Sequence, residues 1–367
     1  MKSCIIFGGS GFVGTHLARH LLETGRFNHI QLADIQPSSL TGLPGISFSR
    51  VDVRKPIPLD LVADRPEWIF NLAAIHREPG HTREEYFDTN LAGAHNVCMY
   101  AEACGCNNIY FTSSISVYGP TTGPTDERRP IQPSTPYGGS KYPAELIHDI
   151  WRQRRPGRRL LISRPGVLYG PGDPGNILRM INAVKRGYFA FPGSSSIHKS
   201  YGYIYGFLDS IDFVMDSPHD FLVYNYVETP TQPLAHIVAE TKRFLGSRAI
   251  TVSIPLWLLL PIASAIQKMI GFRNPIHPVP VRKAATPTHI VPQTLMEMGY
   301  TFRYSFAESL RHWLTVAPED FGYAPAVDPE SKRRLRLRRG VESADSEVPV
   351  TARRHSRMTE KESVAGR

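Results

Sequence analysis

The stretch Cys4-Ile5-Ile6-Phe7-Gly8-Gly9-Ser10-Gly11-Phe12-Val13-Gly14 decides the fold. An apolar run ends in a glycine turn, and an amphipathic segment, Phe12 to Leu22, follows: strand, turn, helix. Glycines stand at 8, 11 and 14. The first permits a sharp turn, the second lets a pyrophosphate approach the main chain, and the third packs helix against strand. Unpaired N–H groups at a helix start, with the helix dipole behind them, favour phosphate. Ser10, Phe12 and Val13 complete this predicted dinucleotide site. A second apolar segment, Ile30-Gln31-Leu32-Ala33, ends at Asp34, 20 residues after Gly14. A carboxylate there accepts both adenosine ribose hydroxyls and repels a 2′-phosphate. No Arg or Lys directly follows it, so the reading favours NAD over NADP.

Working outward, strand-like runs alternate with helical patterns to about residue 170. They include Trp68-Ile69-Phe70-Asn71-Leu72, Asn108-Ile109-Tyr110-Phe111-Thr112 and Leu160-Leu161-Ile162-Ser163, with helical stretches such as Tyr86 to Ala103 and Tyr142 to Arg154 between them. Such alternation predicts an α/β fold of the Rossmann type, a doubly wound parallel sheet with ligands at the strands' carboxyl ends. After Gly170 prolines and glycines rise and the pattern becomes irregular. The expected organisation is a dinucleotide-binding domain over 1–170 and a smaller C-terminal substrate-binding lobe over 171–320. A basic, disordered tail over 321–367 completes it.

Composition narrows the classes. A hydrophobic fraction of 41% over 367 residues supports a full core. The chain enters a strand almost at once, so no signal peptide is expected. Cys4, Cys98, Cys104 and Cys106 do not read as a disulfide framework or a zinc set, and a reducing cytoplasm is expected. No metal is expected. The net charge is +9, and from Val327 onward there are 11 basic and 7 acidic residues, so the tail supplies less than half of it. The densest cluster is Lys332-Arg333-Arg334-Leu335-Arg336-Leu337-Arg338-Arg339. It reads as a solvated tail or as an attraction to anionic lipid. Nothing else resembles a nucleic-acid module, so no nucleic-acid partner is expected. The segment from Ile254 to Ile266 is apolar but short and broken by Pro255 and Pro261. It cannot span a bilayer. It reads as a buried helix of the second lobe, or as an apolar surface on a membrane or lipid tail with Trp257 at the interface.

The chemistry is concentrated in Tyr137-Gly138-Gly139-Ser140-Lys141. Tyr137 and Lys141 are four apart and share a helix face. A tyrosine with a pKa near ~10 is a poor base at neutral pH, but a neighbouring ammonium favours the phenolate. Such a phenolate takes a proton from a secondary alcohol while hydride leaves for a nicotinamide. Lys141 is also placed to hold the nicotinamide ribose. A third group should hydrogen-bond the same alcohol. Ser114, in Thr112-Ser113-Ser114-Ile115-Ser116, is the choice, and Ser113 is second.

These motifs resemble the extended short-chain dehydrogenase/reductase superfamily, in its sugar epimerase and dehydratase branch, over residues 2 to about 316. The resemblance rests on the glycine turn, Asp52-Val53-Arg54, Asn71-Leu72-Ala73-Ala74, Asn90, Ser113-Ser114, Tyr137 with Lys141, and Arg164-Pro165. It implies that Asp52 and Val53 lie by the adenine and that Leu72, Ala73 and Ala74 run along the cofactor. It further implies that Asn90 supports the active-site backbone and that Pro165 borders the cofactor. A homodimer through a four-helix interface is implied as well. Three departures refine the match. Ser114-Ile115-Ser116 lacks the carboxylates that 4,6-dehydratases carry there, and Thr125-Asp126-Glu127 lies in a loop further on. Val167 replaces a diphosphate-contacting Asn. Lys199 replaces an Arg on the nucleotide side, a point charge where the family has a planar fork.

Ala73-Ala74-Ile75-His76-Arg77, Arg164-Pro165-Gly166-Val167, Gly175-Asn176, Lys199-Ser200 and Val281-Arg282-Lys283 are similar to one group within the branch. That group is the N-acetylglucosaminyl-diphospho-undecaprenol 4-epimerases of O-antigen synthesis. The expectation is an NAD-dependent 4-epimerase acting on a lipid- or nucleotide-linked sugar diphosphate, in the cytoplasm or at the cytoplasmic face of the inner membrane. His76, Asn176 and Lys199 are candidate substrate contacts; His76 reads equally as a core histidine and Asn176 as a turn residue. The rival readings are a UDP-sugar 4-epimerase, a 4-keto-sugar reductase using NAD(P)H, and a cofactor-sensing scaffold without turnover.

Overall fold

β1 (Ser3–Phe7) is buried along its whole length, as the central strand of a sheet covered on both faces must be. The computed structural model describes residues 2–323 apart from 63, 78–79, 174 and 271–277. The basic tail expected from 321 starts later, since Phe321 is buried in the main core; the rest of it, from 324, lies outside the described residues. From β1 the chain passes through α1 (Phe12–Glu23), β2 (His29–Asp34), β3 (Ile46–Arg50) and β4 (Trp68–Asn71). It continues through α2 (Arg83–Ala103), β5 (Asn108–Thr112), the short β6 (Thr121–Thr125), α3 (Pro136–Gln153) and β7 (Arg159–Pro165). The later half runs through β8 (Val167–Tyr169), α4 (Asn176–Lys185), β9 (Tyr188–Pro192), β10 (Tyr201–Tyr203), α5 (Ile204–Met215) and β11 (Phe221–Tyr226). It ends with α6 (Leu234–Leu245), β12 (Ile250–Ile254), α7 (Leu256–Ile270), α8 (Pro278–Ala285), β13 (Thr288–Ile290), α9 (Gln293–Glu297) and α10 (Phe306–Val316).

Seven strands make one sheet in the order β11-β7-β5-β4-β1-β2-β3, with parallel pairing throughout. The chain first moves outward from β1 through β2 to β3. It then returns to lay β4 on β1's other side. Strand order therefore reverses between β1 and β4, where open α/β sheets place their ligand crevice. Alternate side chains feed the two faces. Cys4 and Ile6 join a core with Leu17 and Leu21 of α1 and Phe207 of α5. Ile5 and Phe7 join another with Val97 of α2 and Ala144 and Trp151 of α3.

Two helix starts differ from the sequence pattern, and both are set by capping. α2 begins before Tyr86, because Thr82 and Glu85 form a reciprocal capping box. α3 begins well before Tyr142, because the Thr135 hydroxyl accepts the Gly138 N–H and Pro136 fits the first helical position. Tyr137 consequently lies in the first turn of α3.

After Gly170 the chain is divided in its allegiance. β11 closes the main sheet against β7. β8 pairs with β10, β9 with β12, and β6 with β13, each as a two-stranded parallel sheet. α7 forms where the apolar segment predicted a helix. Ala263 is buried, but Trp257, Leu258, Ile262 and Met269 are exposed. The buried-helix reading thus fails for the outward face of α7.

Candidate active site

The selected motif residues of the first half gather at the carboxyl edge of the main sheet. Gly8 has φ +78°, and a Cβ there would lie 2.7 Å from the Leu72 carbonyl carbon and the Ala73 nitrogen. The turn after β1 thus runs directly against the backbone after β4. A Cβ on Gly14 would overlap the Gly8 carbonyl oxygen, so Gly14 is required by packing. Gly11 is different. Its Cβ would meet protein only at 3.4 Å, an ordinary contact. Packing therefore does not demand a glycine at 11, whereas close approach of a pyrophosphate does. Gly11 is also the N-cap of α1, with no side chain to cap the helix. This arrangement fits a dinucleotide phosphate at the helix start.

Asp34, at the end of β2, accepts the Ser10 N–H at 3.1 Å and the Gln36 N–H at 3.0 Å. The Ser10 hydroxyl donates to the Gln36 carbonyl at 2.8 Å. The carboxylate thereby braces the glycine turn and keeps lone pairs for a ribose. Sequence adjacency missed one neighbour: Arg50 of β3 is in register with Asp34. Asp52, after β3, is held by Arg54, whose guanidinium pulls its carboxyl below the ordinary range. Val53 packs over Gly93 of α2, and its carbonyl accepts from Asn96 at 2.8 Å.

Asn90 of α2 joins two parts of the site. Its Oδ1 accepts the Ile75 N–H at 3.1 Å, and its Nδ2 donates to the Ser140 hydroxyl at 2.7 Å. Ser140 in turn donates to the Tyr137 carbonyl at 2.8 Å. The segment carrying Ala73 and Ala74 is thus tied to the helix carrying Tyr137 and Lys141. Pro165 ends β7, buried beside Tyr226 of β11.

α3 meets the serine turn at close range. A Cβ on Gly138 would overlap the Ser116 carbonyl oxygen. Only glycine lets this helix turn sit on the 3₁₀ turn Ile115–Tyr118, and the contact brings Tyr137 beside the Ser114 segment. Ser114 caps that turn: its hydroxyl accepts the Ser116 N–H and donates to the Ser116 hydroxyl, both at 3.1 Å. Ser113 is more deeply buried, and its N–H donates to the Ser163 carbonyl at 2.7 Å. Tyr137 is half-buried, with its ring 6.5 Å from that of Tyr86. Lys141 is buried, with its Nζ 4.3 Å from the centre of the Phe111 ring. Burial pushes its pKa down to about 7, and Glu145 opposes the shift.

Behind this pair lies a polar chain that motif spacing did not reveal. Glu145 is one helical turn beyond Lys141 and forms a buried two-pronged pair with Arg164, at 2.9 and 2.6 Å. Arg164 also donates to the Tyr118 hydroxyl at 2.8 Å, which donates to Asn225 at 2.9 Å. Glu127 accepts the backbone N–H groups of Asn225 and Thr294. On the other side of Lys141, His148 stacks on Phe111 at 4.2 Å. Its Nδ1 donates to the Ala144 carbonyl, so its Nε2 accepts from Asn71 at 3.2 Å. Burial pushes His148 down to about 4, which keeps it neutral. The i+4 spacing of Glu145 from Lys141 is the one local signal that could have found this chain.

The candidate substrate residues are more dispersed. His76 follows the Ala73-Ala74 segment and is exposed, so it is not a core histidine. The protein crowding it, then the charges of Arg77, Lys141 and Lys283, disfavour its imidazolium. Asn176 opens α4, and its Oδ1 accepts from Arg179 at 3.0 Å. Lys199 donates to the carbonyls of Lys283 and Thr286, at 3.0 and 2.8 Å. It caps the C-terminal end of α8, where carbonyls lack helical partners. Burial and then Lys283 push its pKa down to about 8. Arg77 and Lys283 are charged neighbours that sequence reasoning left without a role. Among the described residues no group of three or more His, Cys, Asp or Glu could hold a metal ion.

A model of the NAD dependent epimerase/dehydratase family matches residues 4–225. Over 315 residues the chain is 29% identical to an N-acetyl-alpha-D-glucosaminyl-diphospho-ditrans,octacis-undecaprenol 4-epimerase of Escherichia coli O157:H7, covering 83% of this chain and 92% of that protein. UDP-glucose 4-epimerase 2 of Arabidopsis thaliana is 27% identical over 213 residues, 51% of this chain and 61% of that one. Among solved structures, a UDP-glucuronic acid 4-epimerase from Bacillus cereus in complex with NAD superposes with a TM-score of 0.67 at 17% identity. It covers 84% of this chain and 96% of its own. A dTDP-glucose 4,6-dehydratase from Bacillus anthracis in complex with NAD gives 0.68 at 18% identity, over 88% and 98%.

Proposed function

Because the chain belongs to the NAD-dependent epimerase/dehydratase family, with NAD as its cofactor, we propose that it inverts C4 of a diphosphate-linked N-acetylhexosamine. The favoured pair is GlcNAc and GalNAc carried on undecaprenyl diphosphate, in the synthesis of O-antigen or another surface polysaccharide. The observation that supports this reading is the close packing of the helix carrying Tyr137 and Lys141, through Gly138, on a turn capped by Ser114 that holds no carboxylate. Near-full-length similarity to the E. coli 4-epimerase supports the substrate class.

Tyr137 takes the proton from O4, and Ser114 hydrogen-bonds the same oxygen. Lys141, in its ammonium form, favours the phenolate and holds the nicotinamide ribose. NAD held there would supply hydride acceptance and return at C4, the chemistry that inversion at that carbon requires. Gly8, Ser10, Gly11, Phe12, Val13 and Gly14 cradle the pyrophosphate, and Asp34 binds the adenosine ribose. Asp52 and Val53 flank the adenine, Leu72 to Ala74 and Pro165 border the cofactor, and Asn90 braces the backbone between them. His76, Asn176 and Lys199, with their cationic neighbours, face the sugar diphosphate from the segment after Gly170 and the loop after β4. Dehydration is disfavoured, since Glu127 is spent on the backbone N–H groups of Asn225 and Thr294. A homodimer through α2 and α3 is supported by their exposed Met99, Leu146 and Ile150.

The test is incubation of pure protein, without added cofactor, with GlcNAc-diphospho-polyprenol and in parallel with UDP-GlcNAc, followed by sugar analysis. GalNAc from the lipid substrate alone is the expected result. GalNAc from UDP-GlcNAc would keep the chemistry and make the carrier a nucleotide. Conversion of neither would sink the epimerase reading and direct attention to a 4-keto-sugar reductase.

A further inference from the structure

Apart from the α2–α3 surface, the described residues leave an apolar surface uncovered on α7. Trp257 is 76% exposed and Met269 85% exposed, with Leu258 and Ile262 between them on the same side. The spacing 258, 262, 265, 269 is that of a single helical stripe. Just before α7, Ile250 of β12 is 71% exposed, and Val252 stands on the same strand face. The opposite side of α7 is accounted for. Ala263 is buried, Leu256 lies over Gly193, and α7 packs on α8. A soluble surface rarely carries a contiguous apolar stripe of this kind without a partner.

The charge around the stripe identifies the partner. From residue 241 to 296 the sequence contains no Asp or Glu, yet it has seven Lys or Arg. Arg248, Lys268, Arg282 and Lys283 are exposed on β12's approach, α7 and α8. An exposed aromatic and aliphatic stripe beside cations, with no acidic residue among them, matches the interface of an anionic bilayer. A second copy of the chain would present the same sign of charge to itself. No described helix is long and apolar enough to cross a membrane, so α7 can only lie along one.

We propose that α7, with its outward face of Trp257, Leu258, Ile262 and Met269, docks the protein on an anionic lipid surface. The same unit reaches the substrate side of the site: the carbonyl of Lys283, on α8, accepts from Lys199. Docking through α7 therefore sets α8 and Lys199 close to the bilayer, where a lipid-anchored diphosphate presents its head group. The inference rests on the lipid-linked reading for its purpose, but vesicle binding requires no turnover and is tested apart from it.

The chain carries its own probe. Of its four tryptophans, Trp68, Trp151 and Trp313 are buried, and only Trp257 is exposed. The full-length protein is mixed with vesicles of phosphatidylglycerol in phosphatidylcholine, and with phosphatidylcholine alone. Sedimentation and tryptophan emission are recorded. The expected result is binding to the anionic vesicles, a blue shift, and quenching by brominated acyl chains. Ile262→Glu with Met269→Glu should weaken binding at least tenfold while the melting temperature holds, since both side chains point outward. Binding without an emission shift, or binding unchanged in the double variant, would assign attachment to the basic tail and overturn the role of α7. Absence of binding together with concentration-dependent self-association would assign the stripe to a second copy and overturn it as well. Conversion of detergent-dispersed GlcNAc-diphospho-polyprenol is measured on the same preparations. Loss of vesicle binding with conversion intact separates this surface from catalysis. Vesicle binding without conversion leaves the surface standing while the epimerase reading fails.

Discussion

The two sides of the crevice are built differently. On the sheet side, the chosen residues follow strand ends and are held by backbone within a few ångströms: Gly8 against Ala73, Gly14 against Gly8, Gly138 against Ser116. On the side formed after Gly170, the chosen polar residues spend their groups on the protein itself. Asn176 accepts from Arg179, and Lys199 caps α8. The difference teaches that the glycine turn and the Tyr137–Lys141 helix are held by rigid close contacts. The side after Gly170 is held by polar side chains that brace helix ends, and it should tolerate change better.

The largest expected effect belongs to the sheet side. Tyr137→Phe should lower conversion by roughly 10²- to 10⁴-fold, the usual range for a lost acid–base group. NAD content, read from the cofactor released on denaturation, should be unchanged. Parallel loss of NAD would mean that catalysis and cofactor grip are not separable on this side.

Glycines give a paired test across the crevice. Gly14→Ala forces a methyl into the Gly8 carbonyl, so it should cost about 1–3 kcal/mol by overpacking and strip bound NAD. Gly172→Ala, after Gly170, has φ +79° but nothing within 4 Å of its Cβ. It should cost only the left-handed backbone term, about 1–2 kcal/mol, and leave NAD in place. Equal losses of NAD in the two variants would erase the contrast.

Lys199→Met should be milder in turnover. It removes two hydrogen bonds at the end of α8, worth about 1 kcal/mol each. Conversion should show a KM raised severalfold with kcat nearly kept. A kcat loss as large as that of Tyr137→Phe would place Lys199 among the reacting groups.

The last test is a pH dependence of stability, away from the reacting groups. Glu228 is buried, and the Tyr169 hydroxyl donates to it. Burial pushes its pKa up to about 8. The folded state then binds a proton that the unfolded state releases near the ordinary glutamate value. Stability from this group is complete at acid pH and is lost as pH rises through about 8. Glu228→Gln should flatten that slope in melting curves between pH 5 and pH 9, and an unchanged slope would refute the assignment.

Much of the sheet side was legible because its signals are local. The glycine turn, Asp34 twenty residues on, and Tyr137 with Lys141 are each written within one element or one connection. Glu145 was within reach too, four residues past Lys141. Its partner Arg164 was noted only as part of a motif, and Tyr118, Asn225 and Glu127 join the same chain from as many as 107 residues away. Nothing in their spacing announces that meeting. Arg50 came beside Asp34 through strand register, which sequence adjacency does not encode.

By itself, then, the sequence determined the parallel sheet and the cofactor, and it set Tyr137 and Lys141 one helical turn apart, because periodicity, glycine spacing and i, i+4 helix geometry act over a few bonds. Only the tertiary structure decided that Lys141 is buried against Phe111, that Lys199 braces a helix, and that α7 shows its apolar face to the outside. Each of those depends on which distant segments cover a side chain and which leave it to solvent, and burial is a property of the packed chain rather than of any stretch of it.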